Sequence, residues 1–116
     1  EAISRIIKDI TDCKLLVAHN LGFDKNVLLS ELYRNGLNEC IPIISSMSEF
    51  CTSKGCTGLT KIHFNKYKYK QPKLSELYTF LFKKEANGLH NAFNDTKIMV
   101  ECFMELLRIK YISIKV

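Results

Sequence analysis

The sequence predicts an α/β domain of alternating strands and helices, and three stretches carry that reading. Lys14-Leu15-Leu16-Val17-Ala18 is a short apolar run that ends in His19-Asn20, the pattern of a strand buried on both faces. Directly after it, Phe23, Val27, Leu28 and Leu32 fall at helical spacing. Near the end, Phe93, Thr96, Val100, Phe103 and Leu107 repeat every three or four residues, the best-supported helix of the chain. Strand followed by helix, with the period switching from one to the other, argues for parallel pairing in layers.

In order, Ile3, Ile6, Ile7 and Ile10 predict an opening helix over residues 2–10, and the strand 14–18 follows. The next helix begins after Gly22 and stops at Gly36, a residue suited to the left-handed turn that closes helices. Ile41-Pro42-Ile43-Ile44 reads as a second strand, with its proline at the start, where a missing N–H is tolerable. Ser45 to Gly58, rich in Ser, Thr and Cys, is expected to form a short helix and a loop, and Lys61 to Lys73 shows no clear period. Leu74, Leu77, Tyr78, Leu81 and Phe82 mark another helix, closed by a loop containing Asn87-Gly88. Tyr111 to Val116 alternates and is read as a terminal strand or a helix tail. Two strands make a thin sheet, since an isolated two-stranded unit is marginal in water, so further strands are expected to be missing.

Composition sets the outer bounds. With 116 residues, 47% hydrophobic and 25% charged, the chain is expected to be a single folded domain over 1–116 rather than a disordered tail. It starts at Glu1, as a processed product, an excised domain or a fragment would. No apolar run approaches the roughly 18 residues that span a bilayer, which argues for no membrane partner and a soluble, cytoplasmic protein. Five cysteines without a tight framework read as reduced, mostly buried thiols. Cys51, Cys56 and His63 match no common zinc module and lack a fourth ligand. A formal charge of +5 suits a polyanionic partner.

Two segments about seventy residues apart carry the chemistry: Ala18-His19-Asn20-Leu21-Gly22-Phe23-Asp24, and His90-Asn91-Ala92-Phe93-Asn94-Asp95. Each puts a carboxylate at the start of a helix, and the second adds a histidine five positions ahead. Taken alone, Asp24 and Asp95 are ordinary first-turn carboxylates that favour a helix dipole. His90, on a pre-helix loop, is by itself a surface or capping side chain. Five positions on one continuous helix are about 140° apart, so His90 and Asp95 meet only if the helix begins after His90 and the loop folds the imidazole back.

In combination, Val17 to Leu28 resembles the second motif, and His90-Asn91-Ala92 with Asp95 the third motif, of the DEDDh (proofreading-subunit-like, DnaQ-like) 3′-to-5′ exonucleases. Pro72 to Tyr78 is similar to the segment that introduces the helix before that third motif. The resemblance spans roughly residues 2–108. It implies a ribonuclease H-like fold and hydrolysis of nucleic acid ends to nucleoside 5′-monophosphates. It implies two Mg²⁺ or Mn²⁺ ions, with Asp24 and Asp95 as metal-binding catalytic residues and His90 as the general base. Asn20 and Phe23 are expected to support the substrate pocket, and His19 to be structural. The partner implied is a single-stranded DNA or RNA end. The family's first motif, Asp-x-Glu on an opening strand, is nowhere in these residues. The resemblance therefore implies the C-terminal part of such a domain, N-terminal strands missing, inactive in isolation. The alternative is a non-catalytic nucleic-acid-binding or assembly module that keeps the fold without the metal site.

Lys61, Lys66, Lys68, Lys70 and Lys73 interleave with His63, Phe64, Tyr67 and Tyr69. One reading is a phosphate-tracking segment whose rings stack on bases, with Lys68 and Tyr69 as substrate contacts. The other is a solvated loop whose aromatics pack on the domain.

Overall fold

A computed structural model describes residues 2–114. It is an α/β structure whose described residues form six helices and a small two-stranded parallel sheet. The chain divides into two compact units, residues 1–50 and 51–116.

In the first unit, helix α1 (Ala2–Asp12) leads to strand β1 (Leu15–Ala18) and helix α2 (Leu21–Arg34). The side chains of Ile3, Ile6 and Ile7 lie outside the described residues; Ile10 of the same predicted stripe is buried. The core joins Ile10, Leu32, Cys40 and Ile44, with Leu16, Leu28, Leu29, Leu37, Ile41, Ile43 and Met47 packed around them. Burial of these side chains, at about 1.5–3 kcal/mol each, is what holds α1, α2 and β1 together. As its glycine predicts, α2 ends at Gly36: φ is +72°, the Gly36 N–H donates to the Tyr33 carbonyl, and the Leu37 N–H donates to the Leu32 carbonyl. Those two bonds satisfy carbonyls that the helix end leaves open.

The second strand is not where the isoleucines predict it. Ile41–Ser46 is a helix, α3, entered through a 3₁₀ turn at Asn38–Cys40 with Pro42 in its first turn. A four-residue apolar run cannot distinguish strand from buried helix by period, and Pro is as well placed in a helix's first turn as at a strand's start. Strand β2 is Ser48–Cys51, which pairs with β1. Its sequence, Ser-Glu-Phe-Cys, is exposed over its first half and carries no clean alternation.

The second unit begins with a 3₁₀ turn (Lys54–Cys56) and a single helical turn, α4 (Thr57–Thr60). Helix α5 (Leu74–Phe82) and helix α6 (Ala92–Arg108) then pack on each other, burying Leu77, Tyr78, Ile98, Cys102 and Leu106. Helix α5 matches its predicted stripe, but α6 does not bury the face predicted for it. Phe93, Thr96 and Val100 are exposed, and the buried row is Ile98, Cys102 and Leu106, because the helix carries two apolar rows and spacing alone does not choose between them. The end of α6 repeats the geometry of α2 with a lysine in the glycine's place: Lys110 has φ +63°, donates its N–H to the Leu107 carbonyl, and lets the Tyr111 N–H reach the Leu106 carbonyl. Tyr111 then turns back and donates its hydroxyl to the Gly55 carbonyl at 2.8 Å. Residues 111–114 accordingly form no strand; Lys115 and Val116 of the predicted alternation lie outside the described residues.

The five cysteines form no disulfide with one another; Cys40, Cys56 and Cys102 are buried, Cys51 half-buried and Cys13 exposed. Burial pushes the Cys56 thiol up to about 11 and the Cys102 thiol to about 12, each raised further by a neighbouring thiol. Such groups stay protonated at neutral pH and behave as small apolar core residues.

Candidate functional site

The site residues read from sequence are carried by both units. Asn20, Phe23 and Asp24 lie in the first. Asn20 stands directly after the β1 turn in a left-handed conformation (φ 65°), and its carbonyl accepts from the N–H groups of Phe23 (3.2 Å) and Asp24 (3.4 Å). The Asn20 side chain makes no cap bond to the helix. Asp24 is thus a first-turn carboxylate of the helix that follows a parallel strand, with Phe23 and Asp24 both exposed. Openings at the carboxyl ends of parallel strands are where open α/β sheets bind ligands.

His90 and Asp95 lie in the second unit and are brought together there. Asn91 is extended and caps α6, its Oδ1 accepting from the N–H groups of Phe93 (3.0 Å) and Asn94 (3.2 Å). The helix therefore begins after His90, as the pairing of His90 with Asp95 requires. The connection, however, is made by the main chain and not by the ring: the His90 backbone N–H donates to Asp95 Oδ1 at 3.0 Å, with His90 left-handed at φ 74°. The imidazole is exposed, while the Asp95 carboxylate is half-buried. One bend upstream, Gly88 has φ +76° and lies so close to Asn94 that a Cβ there would come within 2.6 Å of the Asn94 amide nitrogen. A residue with a side chain would be strained at Gly88 for both reasons.

Lys68 and Tyr69 sit on a hairpin that sequence reading leaves without structure. His63 and Tyr69 form an antiparallel bridge, and the Lys70 N–H donates to the Ile62 carbonyl at 2.7 Å. At the tip, the Phe64 N–H donates to the Lys68 carbonyl (2.8 Å), and Asn65 Oδ1 accepts from the N–H groups of Tyr67 (2.8 Å) and Lys68 (3.0 Å). Asparagine serves such turns because its short side chain replaces a backbone acceptor. The hairpin's base is tied to the first turn of α5. Glu76 accepts from the Lys70 ammonium at 2.9 and 3.1 Å and from the Lys73 N–H at 2.8 Å. The Lys70 hydrogen bond first, and then the Lys73 N–H, hold the Glu76 carboxyl below its usual range. Ser53, buried, donates to the Pro72 carbonyl at 3.2 Å and so ties down the segment that leaves the hairpin.

Among the clefts that the described residues of the second unit form, two lie near these elements. The larger, about 530 Å³, is lined by Ile62, Ser75, Glu76, Phe80 and Glu85 at the hairpin's base. The other, about 350 Å³, runs between the Asn87-Gly88 bend and α6 and includes Asn94 and Lys97. Neither includes His90 or Asp95 in its lining.

As donors for Mg²⁺ or Mn²⁺, Asp24 and Asp95 are of the right type, because hard divalent ions take carboxylate oxygens and fill their remaining positions with water and phosphate. The Asp95 carboxylate keeps Oδ2 beyond its bond to His90. Among the described residues of either unit, no three His, Cys, Asp or Glu side chains gather into a metal-holding group, Cys51, Cys56 and His63 included. No described helix is long and apolar enough to cross a membrane.

Sequence reading missed the residues that build this geometry rather than those that would act in it: Asn91, Asn65, Gly88 with Asn94, and the Lys70–Glu76 clamp. Some left signals. Glu76 stands three positions after the residue that enters α5, the place of a capping carboxylate, and Asn65 occupies a turn between two aromatic-basic arms. No family model matches the chain, and no curated protein and no solved structure matches it either.

Proposed function

We propose that this chain carries the second and third motifs of a DEDDh-type 3′-to-5′ exonuclease on a ribonuclease H-like frame. The observation that carries the reading is the junction at α6, where a half-buried carboxylate and a histidine five residues earlier are held together by the 3.0 Å bond from the His90 N–H to Asp95. Support comes also from Asp24, an exposed carboxylate in the first turn after β1.

In this reading Asp24 and Asp95 hold the divalent ions, which when bound neutralise charge developing on the phosphate and the leaving oxygen. The exposed His90 imidazole takes a proton from the attacking water, whose oxygen bonds to phosphorus as the 3′ oxygen departs. A nucleoside 5′-monophosphate is released. Histidine is the side chain most often used to take a proton from an attacking water. The residues this reading assigns to the substrate are Asn20 and Phe23 at the start of α2 and Lys68 and Tyr69 on the hairpin. The Asp-x-Glu pair that completes a four-carboxylate site is not among these residues.

The second reading, a non-catalytic nucleic-acid-binding module, is favoured by a different observation: the basic segment 61–73 exposes Phe64, Tyr67 and four lysines, a surface that needs no metal to meet nucleic acid. Digestion of a 5′-labelled single strand, with Mn²⁺ and then with EDTA, separates the two. The 116-residue chain is compared with one extended upstream to carry an Asp-x-Glu strand. Cleavage is expected only in the extended, Mn²⁺-loaded protein, falling about 10²–10⁴-fold with His90→Ala. Full activity in an extended Asp95→Asn variant would remove Asp95 from the site. Absence of cleavage in both chains, with binding retained, would favour the second reading.

A further inference from the structure

We infer that the hairpin Ile62–Lys70 is a preformed platform that binds single-stranded nucleic acid by stacking bases on Phe64 and Tyr67 while Lys66 and Lys68 meet the phosphates. The inference deepens the proposed function by naming the element that holds the strand, yet binding needs neither metal nor hydrolysis and is tested without them.

Four features of the hairpin carry it. Phe64 is 69% exposed and Tyr67 85%, so these rings do not pack on the domain and the loop-packing expectation fails for them. Tyr69 is 45% exposed, with one side against His63 at a ring separation of 5.1 Å. Isolated exposed apolar residues need no explanation, but several rings concentrated on one short element mark an interaction surface. The charge around them has one sign: between Lys61 and Lys73 there is no Asp or Glu. Of the five lysines, Lys70 is taken by Glu76, whereas Lys61, Lys66, Lys68 and Lys73 are exposed.

The third feature is order. The cross-strand bonds, the Asn65 turn and the Lys70–Glu76 clamp fix the backbone that presents the rings, so little conformational entropy remains to be lost on binding. The fourth is chemistry. A ring flanked by ammonium groups complements a base flanked by phosphates, and stacking tolerates any base because every base has a π-face. The Lys66 ammonium already lies 5.8 Å from the Tyr67 ring centroid, which shows that cation and ring share one small patch. A duplex keeps its base faces stacked against one another and shows only base edges and phosphates, so single strands are the preferred occupant.

Fluorescence anisotropy of a labelled oligothymidylate, in EDTA, tests the inference on the whole chain. Tighter binding of the single strand than of a duplex of equal length is expected. Phe64→Ala with Tyr67→Ala is expected to weaken single-strand binding at least tenfold. Lys66→Gln with Lys68→Gln is expected to reduce the slope of log affinity against log salt by about 1.4, two counterions' worth. Tyr33→Ala, an equally exposed ring at 73% in the first unit, is expected to leave affinity unchanged. Because all these side chains are exposed, circular dichroism should show each variant folded as the parent. Parental affinity in the Phe64/Tyr67 double variant, equal binding of duplex, or binding of anionic vesicles but not of the oligonucleotide would each overturn the inference. Loss of cleavage in an extended Asp95→Asn chain that still binds the oligonucleotide would leave the hairpin intact, so the two readings fail separately.

Discussion

Helices α2 and α6 start from nearly the same words, Asn-x-x-x-Asp, and resolve them differently. In α6 the Asn91 side chain takes two N–H groups, its carbonyl accepts the Asp95 N–H at 2.8 Å, and Asp95 reaches back to the His90 N–H. In α2 the Asn20 side chain makes no cap bond, the corresponding carbonyl bond is longer at 3.4 Å, and Asp24 is exposed. The cause lies in the residue before the helix. Asn91 is extended, which turns its side chain over the helix end, while Asn20 is left-handed, which brings the chain sharply out of β1 and carries the side chain away from that position. Asp95 thus commits one of its oxygens to structure, whereas Asp24 makes no such backward bond among the described residues.

That contrast predicts unequal costs. Asp95→Ala removes a charge-assisted bond from a half-buried position and should destabilise by about 2 kcal/mol, whereas Asp24→Ala loses only a helix-dipole interaction of about 0.5 kcal/mol. Urea unfolding of both variants measures the difference, and equal costs would break the comparison.

The asparagines should follow in the same order with smaller effects. Asn91→Ala is expected to cost about 1 kcal/mol through loss of the cap. Asn20→Gly should be neutral or stabilising by a few tenths of a kcal/mol, since glycine adopts φ 65° without strain and no cap bond is lost. Substantial destabilisation by Asn20→Gly would mean that its side chain has a structural duty after all.

A third helix start sharpens the point with the smallest effect. In α5, Glu76 takes the Lys73 N–H as Asp95 takes that of His90, and adds the Lys70 ammonium. Its carboxyl is held below the usual 4.5 in the folded chain, so the stability it contributes is fully present above that value and is lost as pH falls through the lower folded value. Thermal melts between pH 6 and about pH 3 should therefore show a decline that Glu76→Gln partly removes, with the variant slightly less stable than the parent at neutral pH. A parent and variant with identical pH profiles would show that the clamp contributes nothing to stability.

Where periodicity ran long enough, the elements were legible. Helices α2, α5 and α6 and strand β1 follow from spacing as elements, because the period of the apolar residues is written in their order. The buried face followed only in α5: Phe23 and Val27 of α2 and Phe93, Thr96 and Val100 of α6 are exposed, since each of those helices carries more than one apolar row. Gly36 was legible for a related reason: a left-handed residue at a helix end favours glycine so strongly that the letter predicts the geometry. Lys110 makes the same turn as a lysine, where no letter announces it. The carboxylates and the histidine could be picked out as candidates, since their chemistry is a property of the side chain alone.

What tertiary structure alone decided was the state of short segments and the partners of polar groups. Ile41 to Ile44 became helical because a run of four apolar residues can be buried in either conformation, and packing beside Leu32 and Cys40 made the choice. Ser48 to Cys51 became a strand because β1 offered it a ladder, not because its residues demanded one. Whether His90 meets Asp95 through its ring or its backbone depended on a left-handed φ beside an extended Asn91. The exposure of Phe64 and Tyr67 depended on a hairpin closed by Asn65 and clamped by Glu76. Apolar order along a chain encodes what must be buried; hydrogen-bond partners distant in sequence exist only once the chain has folded, and they determine what each polar group is free to do.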